Sequence, residues 1–426
     1  MIIHQQNYFN MQKSWQWIKK GIFLLPLLPN LGVILTLIGV FLSWKYRFKL
    51  IIKQPLNQAL FILSGCLILT TILAQNPIEA LLGLGNFIPY FIVFIALSEI
   101  IQTPTQLKQL SWIIIIPAIP IIILGLGQQF LGWSGGEQIQ SILGWTLPLN
   151  GNPPGRMSSV FMYANILAAY LLLVFTLATG LLIEQLQIIL KSKKIHSIKP
   201  FSFLILVFSL TAIALIITYS RNAWILVIFT IFIYAIYLSW KWLIGLILSA
   251  ILAVLGAAFA PSPLSNSLRL IVPAYIWQRL TDQNFERPIE TLRITQWKFA
   301  WNLTQQRPWT GWGLRSFTPI YEDKMNIWMG HPHNLFLMLT AETGLPITLF
   351  FIGIIGFILT KFAQTLITKN LKPADQLILF SYGLAFVVYT LFNLADVSLF
   401  DFRVNTFGWL ILAGIWGNTR YMNYEL

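Results

Sequence analysis

Apolar residues recur along the chain in runs of about 20, which is the length of a helix that crosses a bilayer. Short polar segments separate these runs, which fall approximately at residues 22–44, 56–74, 80–100, 111–131, 158–184, 201–219, 223–240, 242–260, 335–360, 376–395 and 404–418. Strands of an outer-membrane barrel would be about ten residues long and would alternate apolar with polar positions. The pattern therefore predicts an all-α integral membrane protein with about 11–12 transmembrane helices.

The first apolar run leaves the number of helices open. Pro26, Pro29 and Asn30 interrupt it, and these residue types favour turns. The run is therefore either one span or a tight pair of short helices.

The positions of the lysines predict how these helices are oriented. Lysines cluster in three connections that alternating spans place on one side, at residues 45–53, 191–199 and 361–372. Cytoplasmic loops carry an excess of Lys and Arg, so we expect a multi-pass protein of the inner (plasma) membrane with these clusters in the cytoplasm. The lysines of residues 13–20 prefer the same side, which favours the hairpin and places both termini inside.

The opposite side carries two long connections within a single polytopic membrane domain of residues 1–426. The first is predicted at 132–157, and the second, at 261–334, is the longest polar stretch of the chain. Because these connections alternate with the lysine clusters, we expect both to be external, that is, periplasmic.

The longer connection contains a predicted amphipathic helix. Pro288 can serve as its first helical residue and Pro308 ends it, with apolar residues at helical spacing between them. Arg293, Trp297 and Trp301 follow one another at four-residue steps, so they share one face. This helix is expected to lie on the membrane domain.

Composition supports the membrane prediction. The chain has 426 residues, of which 57% are hydrophobic and 10% charged. Soluble domains are about 25% charged, so a soluble enzyme and a disordered chain are both excluded. The net charge of +14 would suggest nucleic acid in a soluble protein. Here it first indicates cytoplasmic loops, and no nucleic-acid partner is expected.

The arginines fall mainly on the side opposite the lysine clusters. In this topology only Lys298 and Lys324 among the lysines are external, whereas most arginines are: Arg156, Arg221, Arg269, Arg279, Arg287, Arg293, Arg307, Arg315 and Arg403. Arginine presents a permanently charged, bidentate fork that suits phosphate oxygens. This sorting indicates an anionic, phosphorylated ligand. The alternative is that loop arginines pair with loop acids such as Glu290 and Glu322.

Two of the four histidines, His331 and His333, lie at the end of the long connection. A neutral imidazole is the natural general base near pH 7. A His-x-His pair can also be half of a metal site. However, the other histidines lie elsewhere, and Cys66, the only cysteine, sits in an apolar run. We therefore assign no metal.

Three further features could carry chemistry on the external side. Glu342 lies about eight residues into a span, about 12 Å deep at 1.5 Å per residue, and an ionisable group at depth indicates a functional site. Arg221 lies in a very short turn between two spans, where it must find an anion or carbonyl groups. Gly311 and Gly313 precede Arg315, and glycines permit a ligand to approach the backbone closely.

These residues resemble a known family. His333-Asn334, nine further residues and then Gly344 resemble the signature of the O-antigen ligase and O-antigen polymerase superfamily. The resemblance extends over roughly residues 150–360, through SRNAW at 220–224, LRITQWKFAW at 292–301, RPWTGWGLRSF at 307–317, HPHNLFLMLTAETGLP at 331–346, and Arg156 followed by Tyr163-Ala164-Asn165. The family signature usually has a second glycine three residues after the first, where this chain has Ile347.

The resemblance implies a membrane glycosyltransferase with its active site at the periplasmic face. Such enzymes move a glycan from undecaprenyl diphosphate to a lipid or glycan acceptor during assembly of lipopolysaccharide and other envelope polysaccharides. They use no metal and no other cofactor. The expected partners are thus a polyprenyl diphosphate-linked donor, an acceptor and membrane lipid.

The resemblance also assigns residues. Arg221 matches the arginine of the family's Ser-Arg pair, Arg293 matches its loop arginine before a Trp, and His333 matches its catalytic histidine. The two arginines would neutralise the leaving diphosphate, and His333 would deprotonate the acceptor hydroxyl. Further substrate-binding residues are expected among Arg156, Arg315, Glu342, Asn334 and His331, with Glu342 orienting His333.

Three other functions are compatible with the sequence. An O-antigen or exopolysaccharide polymerase of the same superfamily shares these motifs. A bicarbonate or small-anion transporter has the same architecture, although broken mid-membrane helices and repeated halves are not evident. A non-catalytic scaffold for envelope assembly has no need for Arg, His and Glu on one face.

Overall fold

The computed structural model describes residues 2–192, 198–281 and 288–424, and within them the protein is an all-α integral membrane protein without β-strands. The first half of the chain forms α1 (Ile2–Leu24), α2 (Pro29–Ile51), α3 (Pro55–Ile72), α4 (Pro77–Leu84), α5 (Ile88–Ile100), α6 (Pro104–Ile115), α7 (Ala118–Phe130), α8 (Glu137–Leu143), α9 (Ala164–Ser192) and α10 (Ile198–Ile217). The second half forms α11 (Arg221–Tyr237), α12 (Lys241–Phe259), α13 (Leu264–Arg269), α14 (Ala274–Leu280), α15 (Arg293–Gln306), α16 (Phe317–Met325), α17 (Leu335–Thr368), α18 (Pro373–Phe392) and α19 (Phe402–Tyr424).

Nine helical segments of the described chain are long and apolar enough to cross a membrane. They are α2, α3, α4 with α5, α6 with α7, α9, α10, α12, α17 and α18. The apolar helix α11 is shorter, and α1 and α19 pack along α2 and α5. Including these three, the bundle contains twelve segments, with α9 at its centre.

Proline positions explain where many of these helices begin. Six helices, namely α2, α3, α4, α5, α6 and α18, have proline at one of their first two positions. Proline is favoured there because its missing N–H needs no partner and its φ is already helical. Within a span proline has the opposite effect, and Pro117 separates α6 from α7.

The structure decides between the two alternatives for the first apolar run. A break at residues 25–28 divides it into α1 and α2, which pack against each other as a hairpin. The helices are not short, as the sequence had suggested, since each has 23 residues. Each extends through polar sequence beyond the apolar run.

The bundle has two distinct ends. One, which we call the lysine face, contains residues 52–54, 101–103 and 369–372 and carries the ion pairs Lys108–Glu184 and Arg420–Glu99. The other, which we call the loop face, contains residues 25–28, 73–76, 131–163, 218–220, 260–281, 288–334 and 393–401. Lys193 and Lys194 of the second lysine cluster lie outside the described residues.

Hydrogen bonds to backbone carbonyls join the connections of the loop face to one another. The indole of Trp145 donates to the carbonyl of Leu27 at 2.7 Å, and Gln75 N donates to Trp312 O at 3.0 Å. Leu335 N donates to Asn393 O at 2.9 Å. The long connections are therefore docked on the helix ends.

The long connection contains a small hydrophobic core of its own. Ala300, Leu303, Phe317, Tyr321 and Ala341 are buried together where α15 and α16 pack on the start of α17. The hydroxyl of Tyr321 donates to Glu290 O at 2.6 Å, which fixes the segment before α15. Arg287 and the side chain of Arg279, two of the predicted external arginines, lie outside the described part of this connection.

The predicted amphipathic helix is present as α15, but it begins later than predicted. It begins at Arg293, because residues 289–291 form a separate 3₁₀ turn. Its buried face contains Gln296, Ala300, Leu303 and Thr304, whereas Trp301 is 45% exposed. The buried face therefore differs from the face that Arg293, Trp297 and Trp301 share.

Gly344 breaks α17 into two parts. Its φ of +79° is non-helical, and a Cβ there would lie 2.6 Å from Trp309 O. The first part, before Gly344, packs on α15 and on residues 308–317, where Trp312 N donates to Ala341 O and Gly313 N to Glu342 O. Glu342 therefore lies beside the long connection, and its depth of about 12 Å stays a prediction.

The same contacts correct the prediction for the glycines before Arg315. Gly311 has a φ of +65°, and a Cβ on it would lie 2.4 Å from the carbonyl carbon and oxygen of Glu342. The close approach that this glycine permits is therefore to the backbone of α17, and no ligand is needed to explain it.

Candidate functional site

A histidine and a carboxylate from distant parts of the chain meet on the loop face. His333 lies directly before α17, and Asp396 lies in the turn between α18 and α19. His333 Nδ1 is 3.3 Å from Asp396 Oδ1. Asp396 is buried, whereas the side chain of His333 is 24% exposed. A buried acid thus faces one ring nitrogen of a histidine that remains accessible.

The backbone holds His333 in an uncommon conformation. Its φ is +51°, in the left-handed region that few residues other than glycine adopt. Such positions cost about 1–3 kcal/mol and cluster at active sites. Two hydrogen bonds hold this geometry, from His333 N to His331 Nδ1 at 3.1 Å and from Leu335 N to Asn393 O.

The hydrogen bonds determine which nitrogen of His333 is available as a base. Burial by itself would raise the pKa of Asp396, but hydrogen bonding to His333 and the charges of both histidines outweigh it and lower the pKa to about 2. The ionised Asp396 accepts a hydrogen bond from the N–H at Nδ1 of His333. The proton of the neutral ring is therefore on Nδ1, and Nε2 keeps its lone pair. This is the geometry of a general base oriented by a carboxylate.

His331 supports this arrangement as a neutral side chain. Burial, with smaller contributions from His333 and Arg293, lowers its pKa to about 4 despite the nearby Asp396. Its ring stacks on Phe400 with a centroid distance of 6.1 Å and lies perpendicular to that of His333. Near neutral pH it therefore adds no charge to the cluster.

His331, His333 and Asp396 together have the residue types of a metal site. Their potential ligand atoms lie within 4.8 Å of one another. However, His331 Nδ1 accepts the bond from His333 N, so the neutral ring carries its proton on Nε2, which faces Asp396 Oδ1 at 3.8 Å. His331 has no lone pair directed at the centre of the group, and this favours a base over a metal ligand set.

A chain of polar side chains extends from Asp396 to Arg156. Asn165 donates through Nδ2 to Asp396 Oδ2 and accepts through Oδ1 from the guanidinium of Arg156. Arg156 Nε also donates to Thr218 O at 2.9 Å. One arginine, one amide and the acid–histidine pair are thus connected by direct hydrogen bonds.

Arg221 is the first residue of α11 and follows the turn that Arg156 contacts. The next residue, Asn222, donates through Nδ2 to Phe392 O at 2.9 Å. Phe392 ends α18, four residues before Asp396. The start of α11 is therefore placed beside the acid–histidine pair, and the side chain of Arg221 is exposed there.

Arg293 is the first residue of α15, and it is exposed and close enough for its charge to lower the pKa of His331. The helices α11, α15 and α17 thus all begin at this site. Helix N-termini carry a partial positive charge of about half an elementary charge. Combined with the arginines, these termini make the site attractive to an anion.

Three of the predicted site residues have other partners. Arg315 pairs with Glu79 at 3.4 Å, with both side chains exposed. The carboxylate of Glu342 accepts a bond from Phe317 N at 3.3 Å, so the expectation that it orients His333 is wrong, and Asp396 has that position instead. Asn334 caps α17 by accepting from Leu337 N at 3.1 Å, which indicates that it positions His333.

Asp396 and Asn165 were missed as site residues. Asp396 lies in a short polar turn between the last two spans, on the side of the long connections, so its side and its charge were visible in the sequence. Asn165 belongs to one of the segments that carry the resemblance. No signal in the sequence indicated that the fold brings these two residues close to His333.

The comparison with protein families matches the segment that carries much of this site. Residues 206–352 match the family model described as O-antigen ligase. The matched segment is thus similar to O-antigen ligases. No curated protein matches the chain. The chain is therefore a multi-pass membrane protein with an O-antigen ligase-type segment, as the sequence predicted.

The O-antigen ligase segment runs from α10 into the second part of α17. It includes Arg221, Arg293 and His333, whereas Arg156 and Asp396 lie outside it. The structure also accounts for Ile347 in place of the usual second glycine. Gly344 is the position with non-helical angles, while Ile347 lies in regular helix and packs on the core, so no glycine is required there.

Proposed function

We propose that the protein transfers a glycan from a polyprenyl diphosphate carrier to a hydroxyl of a lipid or glycan acceptor. The observation that carries this proposal is the His333–Asp396 pair beside the helix starts of Arg221 and Arg293. The O-antigen ligase match supports lipid-linked glycans as the substrate class. The lysine clusters support a periplasmic loop face in the inner membrane.

In the proposed reaction, His333 Nε2 takes the proton of the acceptor hydroxyl. The acceptor oxygen then forms a bond to the anomeric carbon of the donor, and the bond from that carbon to the phosphate oxygen breaks with its electron pair. The leaving polyprenyl diphosphate gains negative charge, which Arg221 and Arg293 neutralise. Asp396 stabilises the protonated His333.

Arg156 has a supporting position in this proposal. Its contacts with Asn165 and Thr218 hold the guanidinium beside the start of α11. From there it connects the phosphate-binding region to Asp396 through one amide. No step requires a metal or other cofactor, because proton transfer and charge neutralisation are both assigned to side chains.

The test is glycan transfer in vitro by His333→Ala from a polyprenyl diphosphate-linked donor, with and without a chelator. A general base contributes about 10²–10⁴-fold, so transfer should fall by that factor while the protein still folds and binds donor. Full activity of His333→Ala would exclude the general base. Loss of wild-type activity in chelator would support a metal instead.

The matched control is His331→Gln, whose amide oxygen can still accept the bond from His333 N. Its pH–rate profile should keep the wild-type shape between pH 5 and 8, because neither His331, with a pKa of about 4, nor Asp396, with a pKa of about 2, takes up a proton there. Folding lowers the pKa of His331 from 6.5 to about 4, so the unfolded chain takes up a proton there before the folded protein does. The stability linked to neutral His331 is therefore complete above about pH 6.5 and is lost as the pH falls through about 4. The Gln variant should therefore be less sensitive to acid.

Ligase and polymerase activities differ in the acceptor. The surface glycans of a deletion strain distinguish them. Loss of all long chains from the lipid anchor indicates a ligase, and a cap of a single repeat unit indicates a polymerase.

A further inference from the structure

An apolar cavity of about 250 Å³ lies between α17, α18 and α19. Rings and branched aliphatic side chains form most of its wall, including Phe87, Phe336, Phe351, Ile355, Phe386 and Trp409. Its polar side chains are engaged with protein groups. Asn393 donates to Tyr389 O and accepts from Ser398, and Thr390 donates to Phe386 O. The cavity therefore presents a hydrocarbon surface.

One end of the cavity adjoins the candidate active site. Leu335, Asn393 and Leu399 belong to its wall. Leu335 follows His333 by two residues and is hydrogen-bonded to Asn393, while Asn393 and Leu399 lie on either side of Asp396 in the turn after α18. The cavity thus begins where the acid–histidine pair is fixed and extends along α17 away from the loop face.

The cavity is also open at its side. Ile352, in its wall, is 37% exposed, and Gly356, one turn further along α17, is exposed as well. A Cβ on Gly356 would meet no atom within 4 Å. These residues lie within a membrane-crossing segment, so this opening faces lipid. A long hydrocarbon chain could enter there and continue into the bilayer.

We infer that this cavity binds the first isoprenoid units of the donor's polyprenyl chain, an inference that rests on the proposed function. In the donor only the diphosphate separates the reacting anomeric carbon from the first prenyl carbon. A donor whose anomeric carbon lies beside His333 must therefore place the start of its hydrocarbon chain close to the same histidine. The cavity offers such an apolar space, since Leu335, Asn393 and Leu399 in its wall flank the turn and the segment that hold His333 and Asp396.

The donor chain fits this position better than the lipid of an acceptor does. The acceptor hydroxyl is separated from its own lipid anchor by the sugars between them, so nothing in the reaction requires that anchor to be near His333. In the donor, by contrast, only the diphosphate links the reacting carbon to the prenyl chain, so the start of that chain must lie near His333. The cavity is therefore assigned to the donor, and occupation by an acceptor chain is one outcome of the test.

The test fills the cavity from Gly356. Gly356→Leu and Gly356→Phe place a side chain in the open space without a backbone clash, and both favour the helix over glycine. Gly353→Leu is the matched control, because Gly353 lies one turn earlier on α17, is equally free of neighbours and does not line the cavity. If the new side chain removes from the prenyl chain contacts equivalent to about two buried CH₂ groups, the affinity of the protein for the donor should fall roughly tenfold.

Two measurements on the full-length protein in lipid nanodiscs complete the experiment. The first is binding of a fluorescent polyprenyl diphosphate without glycan, and the second is the KM for donor and for acceptor in transfer. We expect both Gly356 variants to weaken binding and raise the donor KM about tenfold, with the acceptor KM unchanged and Gly353→Leu like wild type.

Each contrary outcome has a distinct meaning. Unchanged binding and donor KM in both Gly356 variants would overturn the inference, and so would a rise in the acceptor KM alone. Binding that is sensitive to Gly356 in a protein that transfers no glycan would leave the inference standing and refute the proposed function. Gly356→Leu, the smaller change, provides the result if Gly356→Phe does not fold.

Discussion

At the scale of single residues, the proposed chemistry depends on which nitrogen of each histidine carries the proton. Asp396 fixes the proton of His333 on Nδ1, and the backbone of His333 fixes that of His331 on Nε2. Two histidines two residues apart thus have different roles. The sequence could not distinguish them by type, and it favoured His333 only through the resemblance.

Asn165 is predicted to position the acid–histidine pair. Asn165→Leu removes the donor to Asp396 and the acceptor for Arg156 while keeping a similar volume. A buried polar group that loses its partner costs about 1–3 kcal/mol, so the geometry of Asp396 should relax and kcat should fall by roughly tenfold or more. The measurement is kcat and donor KM in the transfer assay.

The matched control for Asn165 is Asn418→Leu. Asn418 is also a buried asparagine in a helix, but it donates to Ile101 O and Gly414 O at the lysine face. This variant should lower stability without a selective fall in kcat. Equal kinetic losses in the two variants would show that Asn165 has only a structural role.

Arg221 and Arg293 are predicted to need the geometry of arginine as well as its charge. Lysine keeps the charge but loses the planar, bidentate fork. Arg221→Lys and Arg293→Lys should therefore each lower transfer substantially, by roughly tenfold, at normal protein levels. Arg269→Lys is the control, because Arg269 binds Ala257 O and stacks on Trp277. Wild-type transfer in both variants would contradict the phosphate clamp.

At the scale of elements, α17 shows how one residue changes the position of others. A continuous helix from Leu335 would carry Glu342 into the membrane. The break at Gly344 instead keeps the first part of α17 on the loop face, where it packs on α15 and residues 308–317. His333 is thus attached to a short helix that the long connection holds in place.

Gly344→Ala is predicted to disrupt this arrangement. Alanine at a φ of +79° is strained, and its Cβ would lie 2.6 Å from Trp309 O, so a destabilisation of at least about 1–3 kcal/mol is expected. Thermal unfolding of the purified protein measures it. The comparison is Ile347→Gly, which restores the usual family residue and should cost only about 1 kcal/mol for glycine in a helix, plus lost packing. A neutral Gly344→Ala would refute the steric explanation.

At the scale of the whole molecule, the bundle places the proposed phosphate-binding and proton-transferring groups, from four regions, at one end. Arg156 comes from the first long connection, Arg221 from the turn before α11, and Arg293 and His333 from the second long connection. Asp396 comes from the last turn. The lysine clusters at residues 45–53 and 361–372 lie at the other end, so the charge that predicts the orientation is separated from the charge of the proposed site.

The orientation of the whole molecule is predicted from the lysine face. In a Cys66→Ser background, Lys324→Cys on the long connection should react with a membrane-impermeant maleimide added to cells with a permeabilised outer membrane. Lys53→Cys on the lysine face should react only after the inner membrane is opened. Labelling of Lys53→Cys in cells with an intact inner membrane would reverse the orientation.

The sequence by itself determined the fold class and most of the spans, and it predicted much of the candidate site. Apolar runs of helical length are decisive because a bilayer leaves the backbone few other ways to satisfy its hydrogen bonds. The separation of Arg from Lys indicated the functional side, and the local motifs around Arg221, Arg293 and His333 indicated the family, which the comparison supports.

The tertiary structure decided what depends on contacts between distant residues. The partner of His333 is 63 residues away, in a turn that only the packing of α17, α18 and α19 brings close. Glu342 lies beside the long connection because residues 312 and 313 bond to the backbone of α17 just before Gly344, whose φ of +79° breaks the helix. A sequence pattern predicts the period of a helix. Packing between distant residues decides in which direction a broken helix continues and which acid lies beside a histidine.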